Sequence, residues 1–295
     1  MKKNNTINQK KNHFVPNVYL KKWAHKENEL DYVYIVNNKT GRPVKEQTRN
    51  IGKKKNLYTL PVTFQENLKK FSENFSFKLW EDSWGKVIPE SLDKNKLPID
   101  GQIGQISGFI YMQSIRSIKF KFDTEELLNK KGDSILRNID WGVIYAYLST
   151  QGWMDNHNTN QMLHLLRAPI GKRFITSDNP ATHWIVQNSN YINLKTTFGS
   201  SNYTIKVQSD INLLNILRTY FPSKEVQNNP YYKILCPLTP KWYGVLTPFA
   251  NKKTKDDNDK CYSTELTEKQ LHFFNKLTES TSNKIIIASE LEDFI

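Results

Sequence analysis

Six polar residues stand where this chain could do chemistry: His13, Glu73, Gln113, Arg116, Asp178 and Asn179. His13 precedes Phe14-Val15-Pro16, so its imidazole lies beside a proline-fixed turn and among lysines that favour its neutral form. A neutral imidazole can act as a base, a hydrogen-bond donor to phosphate or a helix-cap partner. Phe174-Ile175 starts a short apolar run that stops at Ser177-Asp178-Asn179-Pro180, where every residue favours a turn. A strand there delivers a carboxylate and an amide to its C-terminal end, the usual place for ligand sites on sheets. Gln113 and Arg116 are three apart and share a helical face. A buried Arg needs a carboxylate, since removing one partner of such a pair costs about 3–5 kcal/mol. Asp178 is the expected partner through a bidentate fork, with Glu73 as the alternative. Glu73 falls on the line Glu73–Phe77–Trp80–Trp84, where desolvation raises a carboxyl pKa toward the range of a general acid or base. Each group also has a plain reading: a structural ion-pair core, a helix end emerging into solvent, a carboxylate at the border of its stripe. The positive expectation is that Arg116 and Asp178 face one cleft with His13 at its rim.

Several chemistries lack their residues. No two histidines have His-x-x-x-His or His-x-His spacing, and Cys236 and Cys261 are too few for a disulfide framework or a cysteine zinc site. Neither a metal nor a cofactor is expected. The chain has no Walker loop, no Gly-x-Gly-x-x-Gly and no Gly-x-Ser-x-Gly elbow, which removes the P-loop, Rossmann and α/β-hydrolase readings. No stretch approaches the roughly 20 apolar residues of a membrane helix, and the Lys-rich start has no apolar h-region, so a cytoplasmic protein without a membrane partner is expected.

Charge says more. The net charge is +13, and it is concentrated: residues 1–26 hold seven Lys and no acid, and residues 39–55 hold seven basic residues against Glu46 alone. Such a segment attracts polyanions and gains from counterion release on phosphates. The abundance of both Asn and Lys also looks like the coding bias of an AT-rich genome, which raises the pI without any ligand.

The elements that must position these residues follow from periodicity. Residues 1–12 read as a flexible basic lead-in and 13–295 as a single domain. A short helix opens at Pro16, and Tyr32–Val36 with the run ending at Leu57-Tyr58 reads as two strands around a turn. Phe64, Leu68, Phe71, Phe75 and Leu79 mark a helix running toward Trp84; Pro89 and Pro98 bracket a loop. Ile103, Ile106, Ile110 and Gln113 mark another helix, to about Ser117. Helices are expected at 123–137, 140–150 (where Trp141 to Leu148 also suits a buried strand), 158–167 and 207–219, a strand at 173–176, and a polar excursion at 187–204. Strands at 232–237 and 242–247, a helix at 267–278 and a strand at 284–288 close the chain. The expected fold is α+β, with helices mid-chain and a small mixed or antiparallel sheet.

His13-Phe-Val-Pro-Asn-Val-Tyr-Leu-Lys-Lys-Trp, Gln113-Ser-Ile-Arg116, Phe174-Ile-Thr-Ser-Asp-Asn-Pro180, Pro237-Leu-Thr-Pro240 and Asn275 occur in that order. This set resembles the bacterial family catalogued as domain of unknown function 4238, over nearly the whole chain. Asn17 stands where the family more often has Gln, and Ser117 where it has Thr-Pro. The resemblance implies one domain with a shared polar site from His13, Gln113, Arg116, Asp178 and Asn179, and Pro237 to Pro240 as a structural turn beside it. It supplies no reaction; a phage-defence or toxin role is an expectation from the family's general look.

The leading expectation is a nucleic-acid-directed effector, a metal-independent ribonuclease of that type, with RNA favoured over DNA. His13 is the general base or acid, Arg116 binds the scissile phosphate, Asp178 orients either of them, and Gln113 and Asn179 position substrate. The alternatives are a non-catalytic nucleic-acid- or protein-binding protein and a nucleotide- or NAD-consuming enzyme.

Overall fold

In a computed structural model, residues 11–37, 40–55, 57–58, 79–122, 162–185, 192–198, 201–205, 232–247 and 261–294 are described. Glu73 and the helices expected at 123–137, 140–150 and 207–219 lie outside them. Strand β1 (Lys11–His13) runs into Pro16, whose φ of −61° opens the one-turn helix α1 (Asn17–Leu20). Its first two residues belong to the stretch expected as a lead-in. Strands β2 (His25–Glu27), β3 (Leu30–Asn37) and β4 (Pro43–Gln47) form antiparallel pairs. Strand β5 (Lys53–Lys55) then pairs antiparallel with β1, placing Lys53 opposite His13.

Two long helices follow, α2 (Leu79–Glu90) and α3 (Asp100–Arg116). Helix α2 carries Pro89 in its last turn, so the loop begins one residue later than the proline suggests. The remaining elements are β6 (Met162–Arg167), β7 (Thr176–Ser177), β8 (Thr182–Ile185), the ribbon of β9 (Ile192–Phe198) and β10 (Ser201–Ile205), β11 (Tyr232–Thr239), β12 (Trp242–Thr247) and β13 (Cys261–Glu265). Helix α4 (Glu268–Thr281) and strand β14 (Ile285–Ala288) complete the order. Helix α4 starts at a capping box in which Thr267 and Gln270 satisfy each other's amides.

One sheet has the order β13-β6-β12-β11-β8, with β13 and β6 parallel and the other pairs antiparallel. It is covered on both faces, and the period of two shows how. Leu163, Leu165, Ile234, Cys236, Leu238, Trp242 and Leu246 enter the core shared with α1, α2 and α3. Their neighbours Leu166, Leu235, Tyr243 and Val245 enter a second core with Leu271, Phe274 and Leu277 of α4. The other sheet, β2-β3-β14-β7 with β4 also on β3, is antiparallel. The fold is α+β.

Glycine sets one close approach. A Cβ at Gly108 of α3 would lie 2.0 Å from the Trp80 ring of α2. The open face lets the helices close, and Trp84 of α2 stacks on Phe109 with ring centroids 3.9 Å apart.

Three expectations change. Residues 162–167 are a strand, not the end of a helix over 158–167, because Met-Leu-His-Leu-Leu-Arg is paired on both edges and buried on both faces. A fully buried short strand and a buried helix turn have the same apolar pattern. The strand at 173–176 shrinks to Thr176–Ser177, since Phe174 and Ile175 bond outside the sheet. The polar stretch 187–204 contains the antiparallel pair β9–β10.

Candidate functional site

The N-terminal segment is held by its main chain. Phe14 and Val15 donate their amides to the Gly52 carbonyl, at 2.7 and 3.1 Å. Gly52 has a φ of +63°, and a Cβ there would lie 2.7 Å from the Val15 Cβ, so this clasp fits glycine. From the other side, α3 supplies two donors on one face. Gln113 Nε2 donates to the Phe14 carbonyl at 2.9 Å, and Arg116 Nη2 donates to the His13 carbonyl at 2.5 Å. The helix places them three residues apart, so adjacent carbonyls of an extended chain are met in register.

Arg116 is 5 % exposed and pairs with Glu81 in the first turn of α2, at 2.8 Å. Tyr58 donates its hydroxyl to the Arg116 carbonyl. The carboxylate that the buried Arg requires therefore comes from Glu81 of the neighbouring helix and not from Asp178.

His13 lies between these groups and the basic strand β5. Burial lowers its pKa most; a hydrogen bond with the Arg49 backbone raises it, Arg116 lowers it, Glu81 raises it, and Lys53 lowers it. The balance falls below the ordinary value and favours the neutral imidazole. Its Nε2 is shielded from solvent and has no hydrogen-bond partner among the described residues. Leaving such an atom unmatched costs about 1–3 kcal/mol.

Asp178 and Asn179 serve a different place, the junction of α4 and β14. The Asp178 carboxylate accepts the Asn283 amide at 2.9 Å and the Lys284 amide at 3.0 and 3.2 Å. Burial raises its pKa, and the bonds from Lys284, Asn283 and Ile285 oppose that shift. Asn179 Nδ2 donates to the Thr281 carbonyl at 2.8 Å, closing the last turn of α4. Arg116 and Asp178 thus have separate partners, and the fork between them is not formed. The structure gathers His13, Gln113 and Arg116 and sets Asp178 and Asn179 at the end of α4.

The two groups are joined through Tyr19. Its hydroxyl is 2.6 Å from the Thr176 Oγ1 and donates to the Pro237 carbonyl at 2.7 Å. Trp23 Nε1 donates to the Phe174 carbonyl at 3.3 Å. Asn275 behaves as a strand partner made of one side chain, taking the Ile175 amide and donating to the Arg173 carbonyl, both at 3.1 Å. The sequence islands are therefore tied to one another by several separate hydrogen bonds along the chain.

Sequence reasoning missed Glu81 and Lys53. Glu81 lay within reach, because the i, i+4 step from Phe77 arrives at it. Lys53 gave only its charge as a signal; its place opposite His13 depends on strand register. Among the described residues, no three His, Cys, Asp or Glu side chains gather as a metal site, and no helix is long and apolar enough to cross a membrane. Neither a curated protein nor a solved structure matches the chain. The match that covers nearly all of it, residues 11–292, is to the family described as Protein of unknown function (DUF4238), and the chain belongs to that family.

Proposed function

We propose that the protein is a cytoplasmic, nucleic-acid-directed effector that cleaves RNA without a metal, with His13 as general base. The observation that carries this reading is the neutral His13 imidazole with its unmatched Nε2, set opposite Lys53 in a basic ribbon. In the reaction, the ribose 2′-hydroxyl displaces the groups that cover Nε2 and gives it its proton, and the 2′-oxygen attacks the adjacent phosphorus. The bond to the 5′-oxygen breaks, a cyclic phosphate forms, and the leaving oxygen takes a proton from water. Lys53 and Arg49 are the cations placed to meet the phosphate. Arg116, whose guanidinium is taken up by the His13 carbonyl and Glu81, holds the His13 main chain in place.

A second reading, a non-catalytic binding protein, is favoured by a different observation. Gln113, Asp178 and Asn179 all bond main-chain groups, and Arg116 bonds one besides Glu81. That is the work of a scaffold. Incubation of purified protein with total RNA and DNA, with and without chelator, separates the readings. Cleavage of RNA that survives chelation and is lost in His13→Ala supports the enzyme. Nucleic acid that binds in a salt-dependent way but stays intact supports the second reading, and no binding at any salt refutes the nucleic-acid-directed reading and leaves the second one only a protein as its ligand.

A further inference from the structure

The open face of β2, β3 and β4 carries a row of rings beside the His13 site. Tyr32 and Tyr34 are two residues apart on β3 and so share one face, with Val33 between them buried on the other. His25 of β2 lies opposite Tyr32 and stacks on both tyrosines, at centroid distances of 6.3 and 5.4 Å and interplanar angles of 27° and 26°. Both tyrosines are half-buried. Lys45 of β4, opposite Tyr34, places its ammonium 5.1 Å from the Tyr32 centroid and is paired with Glu27. Gln47 donates to the Tyr32 hydroxyl at 3.0 Å and receives the Arg49 guanidinium at 2.7 Å. The Arg49 backbone in turn meets the His13 ring. Rings, cations and the candidate base thus form one continuous strip.

From this juxtaposition we infer that Tyr32 and Tyr34 form a stacking platform for the bases of single-stranded RNA, whose phosphates run over Lys45 and Arg49 to His13. The inference rests on the RNA-directed reading above and names the form of substrate. The geometry favours a single strand over a duplex. Residues two apart on a strand are about 7 Å apart, twice the ~3.4 Å rise of stacked bases, so neighbouring bases must be splayed to use both rings. Partly exposed rings on a sheet with flanking cations recognise unpaired bases without reading their edges. Glu27 holds Lys45 across Tyr32, and a phosphate that takes over Lys45 displaces that strap.

The strap gives the test its opposing signs. Fluorescence anisotropy with a labelled single-stranded RNA and a duplex of equal length is measured for wild type, Tyr34→Ala, Tyr32→Ala/Tyr34→Ala, Tyr34→Phe and Glu27→Gln. Wild type should prefer the single strand. The double variant should bind at least fivefold more weakly, Tyr34→Phe should retain binding, and Glu27→Gln should bind more tightly because its side chain no longer competes for Lys45. Circular dichroism establishes that each variant is folded; Glu27→Gln and Tyr34→Phe keep the test decisive if the alanine variants are not. Wild-type binding that is unchanged in the folded tyrosine variants, or weakened by Glu27→Gln, overturns the platform and leaves the RNA reading standing. No RNA binding by wild type overturns both.

Discussion

Asp178→Asn and His13→Ala should fail in opposite ways. The Asp178 carboxylate accepts two main-chain amides, from Asn283 and Lys284, and lies 4 % exposed. With its carbonyl oxygen in the Oδ1 place Asn can still be reached by both amides, but its own amide, in the Oδ2 place, then faces the Lys284 N–H, donor against donor. Hydrogen bonds to a charged group contribute about 1.5–3 kcal/mol each. Burial also penalises the native charge, as the raised pKa shows, and the neutral amide escapes that penalty. The loss should therefore be near 2 kcal/mol, a fall in Tm of roughly 3 °C for a chain of this size. His13→Ala gives up one hydrogen bond at Arg49 but also removes an unmatched buried nitrogen, so its cost should stay within about 1 kcal/mol. Removing a general base, however, should slow RNA cleavage by about 10²–10⁴-fold. Thermal melts and single-turnover cleavage on the same preparations measure both. If Asp178→Asn melts like wild type yet loses cleavage, or His13→Ala cleaves normally, the assignment of scaffold and base is wrong.

Further outcomes follow from the same geometry. Tyr19→Phe should cost about 2–4 kcal/mol in chemical denaturation, because Thr176 and the Pro237 carbonyl both lose a buried partner. The His13 imidazole, followed by NMR titration, should move to a still lower pKa in Glu81→Gln and to a higher one in Lys53→Met, since Glu81 raises it and Lys53 lowers it. His164 is held at about 4 against an ordinary 6.5, mainly by burial and then by Lys233, so the unfolded chain takes up its proton first. Its contribution is present above pH 6.5 and is lost as pH falls toward 4, about 2 kcal/mol once partial screening is allowed for. His164→Gln should flatten that part of the stability profile; a wild-type profile no steeper than the variant's would count against it. Gly108→Ala should destabilise by about 2 kcal/mol or more, since the added carbon overlaps the Trp80 ring, and an unchanged Tm would contradict that packing.

The elements legible in the sequence are those whose pattern has a single reading. Ile103, Ile106, Ile110 and Gln113 can share a face only in a helix, and α3 is found there. Thr267 and Gln270 announce the start of α4 by their capping box. Strand β6 was not legible, because an apolar run buried on both faces has no period, and the pairing that makes it a strand comes from β12 and β13, far along the chain. The site divides in the same way. Gln113 and Arg116 share a face because local helix geometry demands it. The partners are another matter, since nothing local tells Arg116 whether Asp178, Glu73 or Glu81 will be opposite. Asp178 was read as a carboxylate for a cation, but a turn former before Pro180 can equally spend its oxygens on main-chain amides, and it does.

The contrast between the His13 main chain and the His13 ring bears on function more than any single contact. Around residues 13 to 15 the carbonyls and amides are met by Gln113, Arg116 and Gly52, and Arg116 is neutralised in turn by Glu81. Nearby, Tyr19 and Trp23 fasten the same segment to β7 and the preceding residues, and Tyr19 to β11. A histidine kept only for packing needs no such clamp, and a buried ring nitrogen in a scaffold is ordinarily matched. Here the main chain of residues 13 to 15 is met, while among the described residues the His13 Nε2 has no hydrogen-bond partner, a state it shares with the Asn17 Oδ1 and the His25 ring nitrogens. A fixed backbone with one unsatisfied basic atom is a preorganised acceptor: the cost of ordering it is met in folding, and an incoming hydroxyl gains the whole hydrogen bond. That asymmetry favours a ligand-directed role for His13 over a structural one, while Asp178 and Asn179, whose described side-chain bonds all go to main chain, belong to the scaffold.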